Sequence, residues 1–217
     1  MSRRLAWPGF RNARDLGGLP LHPRGQTRFG ELVRSDLPSG PGGLSVQTPV
    51  AYGVRTVIDL RTPRELLGKP SPLRQLPGYR HLPLLLDDDF DVVTAMRDLG
   101  RTYRWKVDNR GQAIAAILGF MAEAPPGGIL FHCLAGMDRS GVVTALLLSL
   151  AGVDRASIIE DYLLSDGTMP LPIPPRPEMM AGLLDHIDSR HGGAPAYLSA
   201  VGAGASVQAA LRRRLLG

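Results

Sequence analysis

One cysteine, Cys133, stands in a chain of 217 residues. No internal disulfide can form, and a disulfide-stapled secreted scaffold is excluded. Lysine is almost as scarce: Lys69 and Lys106 face 23 arginines. Long hydrophobic runs are missing too. The stretch from Val142 to Gly152 is interrupted by Ser149 and is far too short to cross a bilayer. Behind Arg3 and Arg4 there is no apolar run of signal-peptide length, so a cytoplasmic protein without integral membrane association is expected. Hydrophobic residues make up 44% and charged residues 21%, the balance of an ordinary globular domain rather than a disordered or collagen-like chain. The net charge of +5 rests on arginine. That excess fits a coding bias, which also raises Ala, Gly, Pro and Leu, or anion binding through the guanidinium fork. Apart from Arg212 to Arg214 the arginines are scattered and no nucleic-acid motif appears, so no nucleic-acid partner is expected.

No repeat divides the chain. Leu37 to Gly43 is a turn-rich loop, and Met169 to Pro177, with five prolines in nine residues, is a stiff connector. The expectation is one domain over residues 1–217 with a helical C-terminal extension from about residue 176. Glu31 to Arg34, Thr56 to Leu60, Tyr79 to Leu86 and Ile129 to His132 are strand candidates; TVIDL and ILFH carry the short apolar runs of strands buried on both faces. Between and after them, helical periodicity or composition marks residues 112–124, 140–151, 154–164, 177–190 and 206–216. Strands interleaved with helices predict an α/β fold with a mostly parallel sheet of about four to five strands.

The chemistry concentrates in ILFHCLAGMDRSG, Ile129 to Gly141. A buried strand ending at His132 and Cys133, a short loop through Leu134, Ala135, Gly136, Met137 and Asp138, and a helix starting near Arg139 and Ser140 gather unpaired N–H groups around one point. Together with the helix dipole they favour an anion. The same donors would stabilise a Cys133 thiolate and make it nucleophilic near neutral pH. Arg139 is placed for a bidentate grip on phosphate oxygens, and Ser140 for a hydrogen bond to the thiolate. The plain alternative for Cys133 is a small buried hydrophobe at a strand end. His132 is expected to order the loop through backbone near Cys133. Asp59 ends TVIDL, where strand C-termini face the ligand crevice. Arg61 is placed either for substrate contact or for an i,i+4 pair with Glu65. Arg14 and Asp15 are expected to lock their segment beside the site. The acidic run Asp87 to Asp89 and Asp91 fits a lid or, better, a solvated loop. The 87–110 segment fits either a cover over the pocket or an amphipathic helix packing Met96, Leu99 and Tyr103.

HCLAGMDRSG matches the His-Cys-x5-Arg-[Ser/Thr]-Gly signature of the cysteine-dependent protein tyrosine phosphatase superfamily. In detail it resembles the bacterial tyrosine/serine phosphatase family, whose other motifs are similar to FRNARDLGGL (Phe10 to Leu19), LVRSD (Leu32 to Asp36), VIDLRTPRE (Val57 to Glu65) and DYLLS (Asp161 to Ser165). The resemblance implies two-step phosphomonoester hydrolysis through a phosphocysteine on Cys133, with Arg139 and the N–H groups of residues 134–139 binding the phosphoryl oxygens. It also implies Asp138 as the general acid, with Asp59 the competitor. The implied substrate is a phosphorylated protein or a small phosphomonoester, phosphotyrosine preferred and dual specificity open. A phosphoinositide or small-molecule phosphatase is the alternative. Where the better-known members carry Lys, this chain has Met137, and the lost cation argues against phosphoinositides. Neither metal nor cofactor is expected, because arginine and amides supply the positive charge. A sulfurtransferase or arsenate-reductase chemistry fits less well, the latter for want of a resolving cysteine.

Overall fold

The computed structural model describes residues 2–39, 46–168 and 173–217. Part of the turn-rich loop (40–43) and of the proline-rich connector (169–172) lies outside them. Its sheet is built from β1 (Arg14–Asp15), β2 (Leu32–Ser35), β3 (Val54–Asp59), β4 (Tyr79–His81) and β5 (Gly128–His132) in the order β1-β2-β5-β3-β4. Only the two-residue β1 runs antiparallel; β2, β5, β3 and β4 are parallel. The α/β expectation holds, with β5 at the centre.

Alternation along the strands explains the two layers of core. Leu32, Ile58, Ile129 and Phe131 point into the larger hydrophobic cluster, and Val33, Val57 and Leu130 into the smaller one on the opposite face. Trp7, Leu73 and the short α1 (Gln47–Tyr52) cover the smaller face. The larger face is covered by α5 (Gly111–Glu123) and α6 (Asp138–Ala151), backed by α7 (Arg155–Leu163), α8 (Pro177–His191), α9 (Ala194–Ala200) and α10 (Ala205–Leu216). All but two of the α6 residues are buried, so this helix is apolar around its circumference rather than striped. The C-terminal helices do not hang off the domain: Leu183, Ile187, Leu198, Leu211 and Leu215 belong to the same core cluster as β5 and α6.

Two expectations are corrected. The strand read over Tyr79 to Leu86 stops at His81, because Pro83 has no N–H to give a ladder. The acidic run is not a solvated loop but the first turn of α3 (Asp87–Ala95), where three carboxylates meet the positive end of the helix. Asp89 is buried there, accepts from the Leu86 N–H at 2.7 Å and pairs with Arg110. Also unforeseen are α1, α9 and α2 (Pro63–Gly68), short segments with too few turns to show a period.

The N-terminal segment is tied to α7 by charge. Asp161, fully buried, pairs with Arg3, with Arg14 at 3.2 Å and with Arg34 at 2.8 Å. Burial alone would raise its pKa, but the three guanidiniums outweigh it and hold the carboxyl at about 2. Asp161→Ala would strand buried guanidiniums, and a loss of about 3–5 kcal/mol is expected in urea unfolding at pH 7. Because the folded pKa lies below the unfolded value of about 3.9, this contribution is complete above that pH. It disappears as pH falls through about 2. An acid titration of stability should therefore be flatter at its lowest-pH end in Asp161→Ala than in the parent.

Candidate active site

Cys133 follows directly on β5, and the loop it begins is held from outside by its carbonyl oxygens. The Cys133 carbonyl lies 3.1 Å from His132 Nδ1, and that of Leu134 accepts from the Leu37 N–H at 3.0 Å. Asn12 Nδ2 donates to the carbonyls of Ala135 (2.9 Å) and Gly136 (3.2 Å). Arg34 Nη2 donates to those of Gly136 (2.8 Å) and Met137 (3.2 Å). Five consecutive carbonyls, Cys133 to Met137, are thus engaged on the outer side. In a planar trans peptide the N–H of the next residue points the opposite way. The N–H groups of Leu134 to Asp138 therefore turn inward, and none donates to an acceptor among the described residues. This concave set of free donors at the start of α6 is an anion seat.

Gly136 makes the tight loop feasible. Its φ is +67°, and a Cβ there would sit 2.6 Å from Asp36 N and Ser35 C. Asn12 and Arg34 are in turn held by the charge cluster, since Arg14 donates to Asn12 Oδ1 and both arginines pair with Asp161.

Above the seat lies a cavity of about 630 Å³. Cys133, Leu134, Ala135, Asp138 and Arg139 form its floor; Phe90 and Val93 of α3, and Leu99, Thr102 and Lys106 of α4 (Leu99–Asn109), form its walls. The 87–110 segment is therefore both the helical pair and the cover: Tyr103 packs in the core while neighbouring side chains face the cavity. Cys133 Sγ lies 3.6 Å from Ser140 Oγ. Arg139 forms a two-pronged ion pair with Glu65, with Nη2 to Oε1 at 2.8 Å, and lies 5.7 Å from the Phe90 ring centre. Its protonated form is favoured despite burial, because Glu65 is bonded to it. Glu65 closes a capping box with Thr62 at the start of α2, so its carboxylate is fixed twice.

The sequence-predicted residues separate into those that face the cavity and those that support it. Asp138 faces it, accepting from Tyr103 Oη at 2.6 Å. Asp59 does not line it. Its carboxylate binds Arg61 (Nη2 to Oδ2 2.7 Å) and Tyr79 (2.9 Å) beside His132. Burial would raise the Asp59 pKa, but His132 and Arg61 hold it at about 2. Arg61 is corrected accordingly: its guanidinium goes to Asp59 and to the Lys69 carbonyl (2.7 Å), neither to the Glu65 carboxylate nor into the cavity. His132 is fully buried, which lowers its pKa against the pull of Asp59; its Nδ1 lies 3.1 Å from the Cys133 carbonyl and its Nε2 meets Ser71 Oγ at 3.4 Å. Met137 points into the core and does not line the cavity. Arg14 and Asp15 fix their surroundings, Asp15 by binding the N–H groups of Gly17 and Gly30 and the Tyr52 hydroxyl.

Sequence reasoning missed Asn12, Glu65, Tyr103 and Lys106 as site residues. Of these only Lys106 carried a composition signal, a lysine in a chain that otherwise uses arginine. Gly136→Ala would force a Cβ into the Ser35–Asp36 backbone at positive φ. A loss of about 2–3 kcal/mol in denaturant unfolding is expected, where an unstrained Gly→Ala would be neutral or stabilising.

A model of the tyrosine phosphatase family matches residues 5–217. A Cupriavidus necator protein named as a tyrosine-protein phosphatase is 28% identical over 172 residues, covering 75% of this chain and 63% of that protein. The triple specificity protein phosphatase PtpB of Mycobacterium tuberculosis is 31% identical over 198 residues, with 75% and 69% covered. The chain thus spans a little under two thirds of the Cupriavidus relative's length. Among solved structures, TpbA of P. aeruginosa superposes with a TM-score of 0.46 at 19% identity, covering 79% of this chain and 86% of that one. The family model spans the sheet, the Cys133–Arg139 loop and all the C-terminal helices, and the chain belongs to the tyrosine phosphatase family.

Proposed function

We propose that the chain hydrolyses phosphomonoesters through a phosphocysteine, with phosphotyrosine in proteins as the preferred substrate. One observation carries this reading: a lone cysteine at the floor of a cavity, ringed by N–H groups without protein acceptors and by Arg139. The family supports it, and so does the cavity, whose lining of Leu85, Phe90, Val93, Leu99 and Leu134 suits an aromatic ring.

In the first step the Cys133 thiolate attacks phosphorus in line as the P–O ester bond breaks. The inward N–H groups and Arg139 stabilise the equatorial oxygens. Asp138, which lines the cavity, gives its proton to the departing oxygen, and Tyr103 holds the carboxyl group in place through Oδ1. In the second step water attacks the phosphorus of the thiophosphate. Its proton goes to the Asp138 carboxylate and the P–S bond breaks, returning the thiolate, which Ser140 Oγ stabilises with a hydrogen bond. Glu65 positions Arg139 by fixing the guanidinium plane before substrate arrives. Asp59, already an ion-pair partner outside the cavity, is left a structural part.

Cys133→Ser should abolish turnover of p-nitrophenyl phosphate and of phosphotyrosine peptides; full activity would sink the mechanism. Asp138→Asn should cost about 10²–10⁴ in kcat, with the greater loss on an alkyl phosphate, whose leaving group needs the proton most. An equal loss on aryl and alkyl esters would remove Asp138 from the acid role. Glu65→Gln should lower kcat/KM about tenfold, about 1.4 kcal/mol of transition-state stabilisation, through a looser Arg139.

A further inference from the structure

Five cationic side chains are buried among the described residues: Arg14, Arg34, Arg61, Arg139 and Lys106. Four have a carboxylate partner, Asp161 for Arg14 and Arg34, Asp59 for Arg61, and Glu65 for Arg139. Lys106 has none within ion-pair distance. It is 3% exposed on α4 and lines the same cavity as Cys133 and Arg139. Its Nζ donates to Thr102 Oγ1 at 3.0 Å and lies 4.9 Å from the Tyr103 ring centre. Both contacts are with its own helix, and neither partner carries negative charge. An ammonium group has three donors, and two of these find no protein acceptor.

A buried charge in that state is costly unless something completes it. Burial accordingly pulls the Lys106 pKa down to about 8, with Arg139 adding repulsion and Asp138 and Cys133 opposing. The position on the wall says what the ammonium faces. Tyr103, whose ring lies under Nζ, donates a hydrogen bond from its hydroxyl to Asp138, so the ammonium and the proposed acid both adjoin this residue. A charge count points the same way. Of the charged lining residues, Glu65 offsets Arg139, Asp98 counters the exposed Arg97, and Asp138 in its acid form contributes no charge. A phosphomonoester dianion thus still lacks a fixed cation.

We propose that Lys106 is a second cationic contact for the phosphoryl group bound over Cys133, reaching it from the α4 wall. The inference rests on the phosphatase reading above. It also replaces the argument drawn from Met137: position 137 packs in the core, and the second buried cation of the cavity comes from α4, earlier in the chain. A flexible ammonium suits this task better than guanidinium, since it is compact and can swing to an oxygen as substrate enters.

The test compares Lys106→Met, which keeps length and apolar bulk, with Lys106→Arg, which keeps the charge. Orthovanadate affinity, KM and kcat for p-nitrophenyl phosphate, and thermal midpoints would be measured for both and for the parent. For Lys106→Met we expect vanadate binding and KM about tenfold or more weaker, kcat within about threefold, and a midpoint no lower than the parent's, because a buried charge has been removed. Lys106→Arg should recover most of the affinity. Parent-like vanadate binding in Lys106→Met would overturn the proposal. So would a loss that accompanies a lowered midpoint and is not recovered by Arg, since that is a structural role. A parent protein that neither binds vanadate nor hydrolyses the ester would overturn the phosphatase reading and this inference together, whereas an active parent with an indifferent Lys106→Met would overturn this inference alone.

Discussion

The carboxylate of Asp161 is the constraint on which the anion seat depends. It is fully buried on α7 and holds Arg3, Arg14 and Arg34 around it. Arg34 then reaches two loop carbonyls, and Arg14 fixes Asn12, which reaches two more bonds of the same kind. The loop is shaped from behind, by pulling its carbonyls outward, and the inward N–H groups follow from peptide planarity. Such an arrangement is costly to assemble, because buried charges and unpaired donors both oppose folding. It is tolerable because Arg14 and Arg34 share their hydrogen bonds between the carboxylate and neutral acceptors, and because the free N–H groups of the loop border a cavity rather than the core.

A second principle governs the charges around the cavity. Asp59 with Arg61, and Glu65 with Arg139, are ion pairs that fix the end of β3 and the cavity arginine in single orientations. Preorganisation of this sort removes the reorganisation that solvent-exposed groups would need when charge develops. Lys106 departs from the pattern, which is why it stands out as a group prepared for a ligand rather than for the fold.

The loop was legible in the sequence because its parts are contiguous: strand end, cysteine, glycine, arginine and helix start fall within Ile129 to Gly141. The central strands were legible for a similar reason, since β3 and β5 are short apolar runs with clear boundaries. Elements of six or seven residues, such as α1, α2 and α9, were not, because a helix that short shows barely two turns of its period. The α3 acidic run was misread for want of knowing that Arg110 buries Asp89. Arg61 and Glu65 sit at ideal helical spacing, yet Arg61 precedes the helix and turns back to Asp59.

The sequence by itself determined the α/β class, the Cys133–Arg139 loop and the family, because each is written in a local pattern or a contiguous motif. Only the tertiary structure decided the partners. It assigned Asp59 to Arg61, Glu65 to Arg139, Asp161 to three distant N-terminal arginines, and Lys106 to the cavity wall. The reason is physical: which charge neutralises which is settled by burial and distance in three dimensions, and contacts spanning 74 or 147 residues leave no periodic trace along the chain.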